Sequence, residues 1–110
     1  MNQESIGRKL VGKKEDYLNL GKDKDLLNMI WDWVEKKVDK EGKLYLQWAL
    51  VSMKENLGTP NWKEAKEDML YYGPDNFQLN LPRNRQEQVK SYWWKLIKHQ
   101  YNTLKEKGDL

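Results

Sequence analysis

The sequence predicts an all-α fold: a compact bundle of four main helices, with an N-terminal arm and one ordered loop before a long C-terminal helix. Three observations carry this. Apolar residues recur at helical spacing in four separate segments. Gly42, Gly58, Gly73 and Gly108 each follow one of those segments, where a helix that ends wants a residue able to take positive φ. Six tryptophans and six tyrosines stand among 110 residues, and each tryptophan can bury on the order of 200 Å². They offset a composition of 34% charged against 38% apolar residues, which would otherwise approach the disordered range. A chain of this length holds one core and buries roughly two thirds of the surface it exposes unfolded. The expected division is a partly flexible arm over residues 1–22 and a single helical domain over 23–110.

In the arm, Gly7, Gly12 and Gly21 interrupt scattered apolar residues, and no firm helix is expected. Ile6, Leu10, Val11, Tyr17, Leu18 and Leu20 would dock it on the bundle or await a partner. The first main helix runs from about Lys24 to Lys40. Asp23 is its N-cap, and Leu26, Leu27, Ile30, Trp33, Val34 and Val38 form one apolar face. The second, about Leu44 to Asn56, is apolar on two sides, with Leu46, Leu50, Met53 and Leu57 on one and Leu44, Trp48 and Val51 on the other. That pattern predicts the central, most buried helix.

The third main helix starts at Thr59-Pro60 or at an Asn61–Glu64 capping box, buries Trp62, Ala65, Met69 and Tyr72, and stops at Gly73-Pro74. From Asp75 to Arg83, Phe77, Leu79 and Leu81 alternate with polar residues, which suits a loop pinned over the bundle. The fourth helix has Asn84 and Glu87 as a capping box and a stripe of Val89, Trp93, Leu96, Ile97 and Leu104, continuing to about Lys107. At ~1.5 Å per residue it outruns its neighbours, so its last turns are expected to project. Gln100 falls on that stripe and is expected to mark where the core ends.

Chemistry is sparse. With no cysteine, disulfides and thiolate sites are excluded. His99 is the only histidine and has no nucleophile at a recognisable spacing, so an exposed or partly packed helical residue is expected. Glu64, Glu67 and Asp68 are interspersed with Lys63 and Lys66, as on a solvated face. The step Gly12-Lys13-Lys14 lacks the rest of a phosphate-binding loop. No cofactor, metal or catalytic residue is expected. No apolar stretch is long enough to span a bilayer and the first residues are polar, so a cytoplasmic protein is expected.

Charge is unevenly spread. Residues 1–22 carry five basic and three acidic side chains, residues 23–81 eight and eleven, and residues 82–110 seven and three. On the last helix, Trp94 turns away from Trp93, at about 100° per residue, and joins Lys90, Lys98, Tyr101 and Lys105 on the outward face. Arg83 and Arg85 stand where that helix begins. Exposed aromatic and arginine side chains anchor interfaces, and a lysine fringe suits an acidic protein surface. The expected role is therefore a small non-enzymatic adaptor, regulator or inhibitor, of the kind phages and mobile elements encode. Its partner-binding residues would be Trp94, Lys90, Lys98, Tyr101, Lys105, Arg83 and Arg85. A weakly specific nucleic-acid binder using the same helix and the basic arm is the alternative, and a small enzyme comes third. Asp25, Asp32, Glu35 and Asp39 form an acidic stripe complementary to that basic face, so self-association is a further expectation.

Overall fold

The computed structural model describes residues 8–75 and 82–108. Every regular element among them is helical: α1 (Lys14–Leu18), α2 (Lys24–Lys36), α3 (Gln47–Asn56), α4 (Trp62–Asp75) and α5 (Arg83–Glu106). The last four are the four main helices expected. Phe77, Leu79 and Leu81, expected to pin a loop on the bundle, lie outside the described residues.

Asp23 caps α2, its carboxylate accepting from the Leu26 N–H at 3.0 Å. The helix ends at Lys36, short of Lys40, because Lys37 turns extended and Val38 pairs antiparallel with Leu44 in an isolated bridge. Between them the Asp39 carboxylate accepts from the N–H groups of Glu41 at 2.8 Å and Lys43 at 2.9 Å. This local turn competes successfully with one more helical turn. It carries Val38 to the surface, 52% exposed, and leaves Trp33 half-buried, while Trp31 joins the core in their place.

The same turn delays α3, which begins at Gln47 and not at Leu44, although Leu44 and Leu46 stay buried. Trp48 and Val51 are half-buried and Leu57 is exposed, so α3 is not the most buried helix. The central place belongs to α5, which packs against each of the other four. Its buried residues are Val89, Tyr92, Trp93, Leu96, Ile97, Gln100, Tyr101 and Leu104. Taken at 100° per residue they cover an arc of about 180°, wider than the usual ~100° stripe.

At its start α5 departs from expectation by two residues. Pro82 occupies the N-cap position without a side-chain cap, so Asn84 sits inside the first turn and forms no capping box with Glu87. At its end the last turns do not project, since Leu104 is 3% exposed.

The third main helix does not stop at Gly73-Pro74; α4 continues to Asp75. Gly73 serves packing instead. Trp93, fully buried, donates its Nε1–H to the Met69 carbonyl at 2.8 Å, and a Cβ at Gly73 would overlap the indole. Glycine here admits a tryptophan, the close-approach use of a missing Cβ.

The described part of the arm is seated, and it contains a helix that the sequence did not reveal. Tyr17, in the middle of α1, is completely buried, lies 5.7 Å from the Trp31 ring, and donates its hydroxyl to the Tyr92 carbonyl at 3.1 Å. Burial pushes the Tyr17 phenol well above its ordinary pKa, so it stays a neutral donor. Further along, Gln100 takes both backbone groups of Val11: its Oε1 accepts from the Val11 N–H at 2.7 Å and its Nε2 donates to the Val11 carbonyl at 2.9 Å. Gln100 therefore does not mark the end of the core. It is the buried amide that satisfies an incoming strand of backbone.

Candidate interaction surface

Lys90, Trp94, Lys98 and Lys105 share an arc of about 80° on α5 that borders the buried one and overlaps it at Lys90, as their spacing requires. Trp94 is half-buried, and its ring has company that the sequence does not announce. The Trp62 ring of α4 lies 6.0 Å away at 44°, and the ammonium groups of Lys66 and Lys98 stand 4.8 Å and 5.5 Å from the Trp94 ring centre. Both distances fall within the range of cation–π attraction. Trp62 and Lys66 become part of this surface only because α4 crosses α5 here. Their own helical period gives no sign of it, since Trp62 reads as core and Lys66 as a solvated charge.

Four of the seven expected partner-binding residues thus lie together on the outward arc: Trp94, Lys90, Lys98 and Lys105. Lys90 is half-buried, 3.5 Å from Glu87, while Lys98 and Lys105 are exposed. Arg83 is exposed at the first turn of α5, roughly 16 Å along the helix from Trp94. Tyr101 does not belong to the surface. It is 9% exposed and packs in the core, because the buried arc of α5 is wide enough to include it. Arg85 is also diverted: its guanidinium pairs with the Asp23 carboxylate, joining the start of α5 to the cap of α2.

Glu87 is an acidic group on this arc, beside Lys90, while two carboxylates of α4 face elsewhere. Glu64 and Asp68 line a shallow groove with Ser52, Asn56, Asn61 and Ala65, on the α3 side of α4. The acidic stripe expected on α2 does not form as a continuous feature. Asp32 pairs with Lys14 at 2.9 Å, Glu35 accepts from the Trp31 indole N–H at 2.9 Å, and Asp39 has left the helix. The Lys43 N–H above all, with the Glu41 N–H and the nearby Lys43 and Arg8 charges, holds the Asp39 carboxyl below its ordinary pKa.

His99 lies partly packed beside the arm, its ring 6.4 Å from that of Tyr17. Among the described residues, no three His, Asp or Glu side chains stand together as a metal site, and no helix is long and apolar enough to cross a membrane. A second aromatic cluster ties the irregular segment after α2 to the helices. Tyr45 packs edge-on against Trp33 at 5.3 Å and against Trp48 at 6.1 Å, and its hydroxyl donates to the Tyr72 carbonyl at 3.0 Å. No family model, curated protein or solved structure matches this chain.

Proposed function

We propose that this chain is a non-catalytic binding protein of the cytoplasm, an adaptor or inhibitor that docks on an acidic protein surface through Trp94 and its lysine fringe. The observation that carries the reading is the bracketing of one half-buried indole by Lys66 and Lys98, next to Trp62. Trp62 and the two ammonium groups hold the Trp94 ring in place before a partner arrives, which lowers the ordering cost of binding. The indole offers the apolar centre of an interface, and Lys66, Lys90 and Lys98 offer a rim for carboxylates. Base stacking, which a nucleic-acid target would need, would compete with the contacts the Trp94 ring already makes to Trp62 and two lysines.

The test compares two labelled probes by fluorescence anisotropy: a panel of Asp/Glu-rich peptides carrying one central aromatic residue, and single- and double-stranded oligonucleotides. Wild type is expected to bind members of the peptide panel. Trp94→Ala is expected to weaken that binding at least tenfold, a loss of about 1.4 kcal/mol or more, as for an interface anchor. Trp94→Ala itself should cost about 1.5–3.5 kcal/mol of stability, the sum of one aromatic pair and two cation–π contacts, and circular dichroism of the variant checks that it remains folded. Oligonucleotide binding tighter than peptide binding, lost in Lys98→Glu, would replace this reading with the nucleic-acid one.

A further inference from the structure

Besides the Lys95 ammonium, which donates to the Leu20 carbonyl at 2.7 Å, the arm is attached to α5 by two contacts of different kind. One is Tyr17, which lies wholly inside the core. The other, ahead of it, is residues 10–13, where Val11 is clamped by Gln100 and Gly12 rests against the edge of His99. Gly12 has φ +77°, and a Cβ there would stand 3.1 Å from His99 Nε2. That nitrogen is buried and has no hydrogen-bond partner. A neutral imidazole tolerates the position with its lone pair turned inward. An imidazolium would place a charged N–H against the Gly12 backbone with no acceptor, which is costly in a buried site.

From this geometry we infer that residues 10–13 form a pH-operated clasp: protonation of His99 lifts this segment from α5 while Tyr17 keeps the later part of the arm anchored and Arg8 stays bonded to the Glu41 carbonyl. The groups around the imidazole come from the arm and from α5 itself. Asp16 on α1 attracts the charged ring, as does Glu106 on α5, while Lys95 and Lys98 on α5 repel it; all four line one open groove with His99. Tyr17 faces the ring as a neutral phenol. Burial outweighs the attraction of Asp16 and holds His99 below the ordinary imidazole pKa. The lifted state therefore binds a proton more readily than the seated one. Seating is complete above about pH 6.5, weakens as the pH falls from there to the lowered value, and then levels off. Within that window the opening constant rises by at most about tenfold per pH unit.

The device is independent of the partner reading, and its test needs no partner. Amide hydrogen exchange of the Val11 N–H, measured by NMR on the whole chain and corrected for the intrinsic pH dependence, reports clasp opening. The Asn19 N–H, bonded to the Glu15 carbonyl at 3.1 Å within the Tyr17 anchor, is the internal reference. Between about pH 7.5 and about pH 5, Val11 opening is expected to increase several-fold or more while Asn19 stays constant. In His99→Gln the Val11 opening should no longer vary with pH. A direct titration of the His99 ring protons in wild type stands beside this, with a midpoint expected below about 6.5 that coincides with the opening of Val11. Flat Val11 exchange, an unchanged pH dependence in His99→Gln, or a His99 midpoint at or above about 6.5 would overturn the inference.

Discussion

Gly73 shows how far a single residue's role can depart from its type. In a helix interior a glycine-to-alanine change ordinarily stabilises, by about 1 kcal/mol, through lower chain entropy and better propensity. Here the added methyl would meet the Trp93 indole, which is fully buried and held by its bond to Met69, so it cannot easily withdraw. Overpacking a close-packed core costs about 1–3 kcal/mol, which exceeds the propensity gain. Gly73→Ala is therefore expected to destabilise, with a lowered denaturation midpoint in urea and an unchanged slope. An increase in stability would mean that α4 and α5 can separate at little cost. At this scale the sequence was legible where helical phase alone decides. Trp93 goes in and Trp94 stays at the margin because neighbours differ by about 100°. Tyr101 was not legible, because its fate depends on how wide an arc the surrounding helices cover, and no local pattern encodes that.

Among the elements, long periodic stretches announced themselves and short or irregular ones did not. The stripe of α5 and the Asp23 cap of α2 follow from spacing and side-chain chemistry close in sequence. A helix of five residues has no period to read, so α1 was invisible, although Tyr17 is among the largest fully buried side chains. What fixes the arm is a set of contacts distant in sequence, and Gln100 is the clearest. Its amide satisfies both backbone groups of a residue 89 positions away. Gln100→Ala removes two hydrogen bonds and leaves the Val11 N–H and carbonyl without their partner. The expected loss is about 1–3 kcal/mol, since an abandoned polar group in a part-buried site costs more than a typical bond contributes. Lys14→Ala, which removes only the Lys14–Asp32 pair on the surface of the same arm, should cost about 1 kcal/mol or less. Parallel thermal denaturation of the two variants distinguishes them. Equal losses would mean that the Val11 backbone finds water as readily as it finds Gln100.

For the molecule as a whole, folding redistributes the charge asymmetry seen along the chain. The acidic middle is partly compensated: Lys14 pairs with Asp32, Arg85 with Asp23, and the Arg8 charge acts on Asp39, so the basic ends fold onto it. Lys98 and Lys105, left outward on α5 with Lys66 nearby, then form a basic part of the surface, while Lys90 beside them stands 3.5 Å from Glu87. Folding rests on a core of apolar side chains and on buried uncharged hydrogen bonds such as Trp93 to Met69 and Tyr17 to Tyr92. Those terms are nearly indifferent to salt, and the ion pairs are partly exposed and individually weak. Docking on an acidic partner rests instead on charges at an interface rim, which ions screen. Raising the ionic strength from about 0.1 M to about 1 M shortens the screening length from roughly 10 Å to roughly 3 Å. Over that range the affinity for an acidic peptide should fall at least tenfold, chiefly through slower association, while the thermal midpoint moves by only about 2 °C. Affinity that held at high salt would place the weight of binding on Trp94 and Trp62 and reduce the lysines to ring supports. A thermal midpoint that fell in step with affinity would instead show that the Arg85–Asp23 and Lys14–Asp32 pairs carry more of the fold than surface pairs ordinarily do.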